Sequence, residues 1–177
     1  MNRRTATAIV WFTFSCTACA GSATDGSLTP ELLLHDVDNR GASVVVRDLW
    51  NRHDPWNEVT KRIASGENAW IDVALALRKG SDAGASSDLR DAMFQALAKN
   101  PAYVLQHAEP EYPLSELCEG RVDPPSTYSE AIAEQVRTEK AVEQVRTIEL
   151  QEKKELCLIK LREGEGHLKR FFGMTKQ

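Results

Sequence analysis

The forty residues Gly66 to Leu105 (GENAWIDVALALRKGSDAGASSDLRDAMFQALAKNPAYVL) constrain this chain more than any other stretch. They read as two amphipathic helices facing each other across a turn rich in Gly, Ser and Asp. Between Glu67 and Arg78, the residues Trp70, Val73, Ala74 and Leu77 recur at helical spacing and share one face. Ile71 and Leu75 widen that face, so this helix is expected to be buried on more than one side. Lys79 to Gly84 forms the turn, and Ser86, Ser87 or Asp88 is the expected cap of the next helix. The face of that helix is Leu89, Ala92, Met93, Ala96 and Leu97, whose alanines allow close packing. Asn100-Pro101 stops it and starts a shorter turn carrying Tyr103, Val104 and Leu105. Short connections of this kind favour antiparallel neighbours.

Upstream, Thr29-Pro30-Glu31 is a helix start: a capping hydroxyl, a proline suited to the first position, and an acid at the positive end of the dipole. Leu34, Val37, Gly41, Val44, Val45 and Leu49 continue as one stripe. Gly41 within it costs about 1 kcal/mol relative to Ala, and a close approach by another helix is the expected compensation. The run Val44-Val45-Val46 falls within this helical stripe, with the start of a strand as the lesser alternative. Asp54-Pro55 opens a short helix with Trp56, Val59 and Ile63 on one side, and Gly66 supplies a left-handed stop.

Downstream, four prolines between Glu109 and Pro125 prevent a long helix, so this segment crosses from one helical layer to another. Residues 127–162 contain neither Pro nor Gly and favour helix. They carry a nine-residue echo, EQVRT at 134–138 and again at 143–147. Nine residues is two and a half helical turns, so an uninterrupted helix would present the two copies on opposite sides. A break near Thr138 or Thr147 would give two helices instead. Val142, Val145, Ile148, Leu156 and Ile159 share one side; Leu150, Cys157 and Leu161 share an adjacent one. Lys140, Glu149 and Glu152 interrupt every heptad frame, which favours a packed terminal helix over a coiled coil. Gly164 and Gly166 are the expected end of this helix, leaving 164–177 as a frayed tail.

The N-terminus reads as an export signal over residues 1–20. Arg3 and Arg4 are a basic start, Ala6 to Phe14 a short apolar run, and Ala18-Cys19-Ala20 a small-residue cleavage site. The apolar run is far below the roughly 20 residues that a spanning helix needs. Thr17-Ala18-Cys19-Ala20-Gly21 also resembles a bacterial lipobox, although Cys16 stands where Leu is usual. Two mature forms are therefore open: a soluble one beginning at Gly21, or one held at a membrane surface by a lipid on Cys19. Residues 21–28 are a small, polar tether, and 29–163 a single helical domain.

Loss of the two signal arginines takes the net charge from −4 to −6. An acidic domain without a basic cluster is repelled by phosphate backbones, so nucleic acid is not an expected partner. Cys118 and Cys157 are the two cysteines outside the signal. In an oxidising compartment a pair is read as one disulfide. Unpaired thiols are the alternative, and a zinc site would need further ligands at close spacing.

No recognised catalytic or cofactor motif is present, and no cofactor or metal is expected. His35 and Asp38 share a helix face and His53-Asp54 is the next polar cluster, but two ligands make a weak metal site. Glu109/Glu111 and Asp88/Asp91 are generic carboxylate pairs unless burial raises one of them. Ser86-Ser87 fits capping, and Trp50, Trp56 and Trp70 fit core packing.

Gly41-Ala42, Leu49-Trp50, Trp56, Gly66 with Trp70, Gly80 to Ser86, Ala96 to Pro101, Leu117-Cys118 and Cys157-Leu158 together resemble a set of small exported proteins of Gram-negative bacteria. The resemblance implies an all-α, HEAT-like domain: antiparallel helical hairpins in a right-handed layered array, with a long C-terminal helix and one disulfide. It carries no activity. The expected function is non-enzymatic binding of a protein partner in the cell envelope, of the immunity or inhibitor type. An envelope structural or stress-related lipoprotein is the alternative.

Overall fold

The computed structural model describes residues 28–174, and every described element is helical. The signal peptide expected over 1–20, most of the expected tether, and Cys16 and Cys19 lie outside the described residues. The chain runs α1 (Pro30–Arg40), α2 (Ala42–Trp50), α3 (His53–Ile63), α4 (Asn68–Arg78), α5 (Ala83–Leu97), α6 (Pro101–His107), α7 (Leu114–Leu117), α8 (Tyr128–Glu143) and α9 (Gln151–Phe171), with a 3-10 turn at Ile148–Leu150.

Thr29 caps α1 as expected, its hydroxyl accepting from Leu32 N at 3.3 Å, with Pro30 in the first turn. The single helix expected across Gly41 is corrected. Gly41 adopts φ +85 and its N–H closes α1 on Val37 O at 2.8 Å, after which α2 starts afresh. No atom lies within 4 Å of where a Cβ would stand, so Gly41 provides a left-handed turn and no close approach. Val44 to Val46 are helical, not strand, with Val45 and Val46 buried.

Helix α4 packs against α1, α2, α3 and α5, which accounts for burial of Trp70, Ile71, Val73, Ala74 and Leu77 at once. Helix α5 is buried on several sides through Leu89, Met93, Phe94 and Leu97. Its expected caps are corrected: the helix begins at Ala83 behind Asp82. Ser86 lies inside it, where Arg78 of α4 donates to Ser86 Oγ at 2.5 Å and to Ser81 Oγ at 3.3 Å across the turn.

The crossover is pinned at two points. Tyr112 is buried and donates to Ala74 O at 3.1 Å, and Cys118 is bonded to Cys157 of α9. Both cysteines are fully buried. The echo is resolved by a reversal at Gln144 to Thr147. Its first copy lies in α8, and its second spans the end of α8 and the turn, where Lys154 Nζ donates to Glu143 O and Val145 O. The reversal resets the helical phase, so Val142 and Val145 are buried while Ile148, Leu156 and Ile159 face solvent. The shared side expected for these five residues is corrected accordingly.

The frayed tail expected over 164–177 is also corrected, since α9 continues through Gly164 and Gly166 to Phe171. Gly164 is buried where α9 passes the crossover. A Cβ there would overlap the Glu119 carbonyl oxygen and stand 2.7 Å from Gln135 Nε2. Phe172 then packs edge-on against Tyr128, with ring centroids 6.0 Å apart.

Candidate functional site

Helices α3 and α5 pack on each other and run parallel, and α4 returns the chain from the end of one to the start of the other. Near their starts, Trp56 Nε1 donates to Asp88 Oδ2 at 2.8 Å. Beyond their ends, Asn100 Nδ2 donates to Gly66 O at 2.8 Å. Between these ties is a groove of about 600 Å³, a volume within the range of ligand and peptide sites. Asn57, Thr60, Lys61, Ala64 and Ser65 form the α3 wall. Asp88, Asp91, Ala92, Gln95 and Lys99 line the α5 side, and Arg121 and Asp123 of the crossover form the third wall.

Internal bonds lock the deeper parts. Trp56 is buried beneath α3, edge-on to Trp50 at 5.3 Å, with its indole N–H directed to Asp88. Asp91 is buried, and its two oxygens accept from Val122 N at 2.6 Å and Asp123 N at 3.0 Å. This carboxylate therefore holds the third wall in place by satisfying two loop amides that helix geometry cannot serve. Arg121 stands between two carboxylates, 3.5 Å from Asp91 and 3.7 Å from Glu134 of α8. The rim differs. Among the described residues, the side chains of Asn57, Lys61, Gln95, Lys99 and Asp123 have no hydrogen-bond or ion-pair partner within the protein.

Burial pushes the Asp91 carboxyl above its ordinary range, against the downward pull of the two amides and Arg121. Burial likewise raises Glu134, again opposed by Arg121. The folded protein thus holds these protons at pH values where the unfolded chain has released them, and stability falls as pH rises through the raised values. Glu134→Gln removes one such group without touching the loop amides. Between about pH 4, near the ordinary carboxylate values, and neutrality, the wild type is expected to lose more stability than this variant. Thermal unfolding across that range checks it, and identical pH slopes would refute it.

Other residues singled out from the sequence are not assembled into this site. His35 and Asp38 are exposed on α1, where Asn39 Nδ2 bonds His35 O at 2.8 Å. His53 and Asp54 are exposed at the start of α3. Glu109 and Glu111 pair separately with Lys153 at 3.4 Å and Lys79 at 3.5 Å. Among the described residues, no group of three His, Cys, Asp or Glu is placed to hold a metal. Of the generic carboxylate pairs, Asp88/Asp91 is the one brought to the groove. Thr60, Lys61, Gln95, Lys99 and Arg121 carry no sequence signal that would have found them. No family model matches the sequence, and neither a curated protein nor a solved structure matches it.

Proposed function

We propose that this is a non-enzymatic exported binding protein that receives a protein partner of the cell envelope in the α3–α5 groove, as an immunity or inhibitor protein does. The observation that carries the reading is the contrast between a locked interior and a free rim. Trp56, Asp88, Asp91 and the crossover amides satisfy one another, so the groove keeps its shape when empty. The rim side chains remain available as donors and acceptors. Pre-organisation of this kind lowers the ordering cost of association. The apparent signal sequence and the Cys118–Cys157 disulfide support action outside the cytoplasm.

The lipobox-like Thr17 to Gly21 favours a second reading, an envelope lipoprotein acylated at Cys19. It changes the domain's anchorage and leaves the groove as it is. Both readings are tested by replacing Gln95 with a photo-crosslinking residue in the full chain, irradiating cells and fractionating them. The expected result is a discrete adduct in the envelope fraction that disappears in the Lys61→Glu/Lys99→Glu variant. A crosslinker at exposed Glu155 serves as the control. An adduct pattern shared by both positions, or one indifferent to the lysines, would overturn the groove reading. Release of the adduct from membranes by Cys19→Ala would identify the lipidated form, and soluble adduct in the wild type would exclude it.

A further inference from the structure

The unpaired charges of the groove are sorted by position. Asp88 lies in the second turn of α5, close to Asn57 near the start of α3, and its Oδ1 has no partner among the described residues. Asp123, placed by the Asp91 clasp, is exposed and pairs with no cation among the described residues. Lys61 and Lys99 lie toward the other end, are exposed, and pair with no carboxylate among the described residues. The parallel course of α3 and α5 explains the sorting in part, because it gathers both helix C-termini at the lysine end, where cations are favoured. Arg121 does not disturb this polarity, because Asp91 and Glu134 flank it.

From Asp88 to Lys99 the axial distance is about 16 Å at 1.5 Å per residue. An extended chain covers that distance in about five residues at 3.3 Å each. The walls offer polar side chains to a backbone laid between them, Asn57 and Thr60 on one side and Gln95 on the other. A small anion or cation would use only one end.

Resting on the binding role proposed above, we infer that the occupant is an extended polypeptide segment with a cation and an anion about five residues apart. Its cation faces Asp88 and Asp123, and its anion faces Lys61 and Lys99. The requirement is for charge separation and not for chain direction, since a segment can run either way along the groove.

The probes are four capped hexapeptides: Lys-Ala-Ala-Ala-Ala-Glu, Lys-Ala-Ala-Ala-Ala-Lys, Glu-Ala-Ala-Ala-Ala-Glu and Ala-Ala-Ala-Ala-Ala-Ala. Each is titrated into isotope-labelled mature protein with the disulfide intact, and amide and side-chain shifts are followed by NMR. The bipolar peptide is expected to bind about ten-fold more tightly than any of the others, with shifts at Asn57, Thr60 and Gln95. This ratio corresponds to about 1.4 kcal/mol, within reach of two exposed ion pairs. Lys61→Glu/Lys99→Glu makes the groove uniformly acidic without breaking an ion pair, and its preference is expected to move to the dilysine peptide. Equal binding of all four peptides, shifts outside the groove, or an unchanged preference in the variant would each overturn the inference. A groove-dependent crosslink in cells together with equal peptide binding would sink this inference and leave the binding role standing.

Discussion

Replacing Cys118 and Cys157 together by Ala is expected to lower the unfolding free energy by about 4 kcal/mol, on the chain-entropy account of a crosslink closing a loop of this size. The two residues are 39 apart in sequence and their Cα atoms 5.1 Å apart. Both are fully buried, Cys118 just after α7 and Cys157 on the core face of α9. Without the bond, the crossover is free in the unfolded chain to explore conformations that the crosslinked chain never visits. At about 2–4 °C per kcal/mol for a domain of this length, the midpoint should fall by about 8–16 °C. Denaturant unfolding of oxidised wild type against the double variant measures the difference. A loss below about 1 kcal/mol, well under the usual range for a native disulfide, would show that the loop is already restrained by Tyr112 and by packing. The change should also be felt in the groove, since Arg121 and Asp123 follow Cys118 by only a few residues.

The second large effect is an inversion of sign within one helix. Gly→Ala in a helix interior ordinarily stabilises by about 1 kcal/mol. At Gly166 that rule should hold, because an added Cβ meets nothing nearer than Arg170 Nη1 at 3.7 Å. At Gly164 the added methyl would collide with the Glu119 carbonyl, part of a backbone held one residue away by the disulfide. Neither neighbour can yield cheaply, so Gly164→Ala is expected to cost about 2–3 kcal/mol through overpacking. It would also displace Gln135, whose Nε2 donates to Leu161 O at 2.6 Å. Paired unfolding curves give the test. Equal effects at the two glycines would show that the contact between α9 and the crossover is not closed in solution.

Gly164 and Gly41 mark how far the sequence can be read. Position after an otherwise uninterrupted helical run suggested a stop at Gly164, and position inside an apolar stripe suggested close packing at Gly41. Each does what was expected of the other. A glycine's local surroundings in sequence do not say what approaches it, and the neighbour of Gly164 is a carbonyl 45 positions earlier in the chain. Features that depend on one element alone were readable: the Thr29 cap, the broad apolar face of α4, the stop at Gly66. The Cys118–Cys157 bond was also readable, because these are the two cysteines that lie outside the expected signal. The groove was not. Asp91 has a distinctive role only because a loop 31 residues away brings two amides to it. Lys61, Gln95 and Lys99 are indistinguishable from ordinary solvated residues until α3 and α5 are seen side by side. Burial of Val145 beside exposed Ile148 depends on a reversal that the echo suggested near Thr138 or Thr147, and the second of these is where it falls.

The echo has a consequence for how this chain can change over time. Two identical pentapeptides nine residues apart adopt different structures, one inside α8 and one rounding the corner into the 3-10 turn. Extra length between Arg146 and Ile148 need not be accommodated by the core, since these residues are exposed, whereas Val145 before them is buried and its carbonyl accepts from Lys154. The corner is thus a place where segments can be gained or lost while α8 and α9 keep their register through Gln135, Val142 and Cys157. Because it is separate from the α3–α5 groove, a change of length there leaves the groove walls as they are.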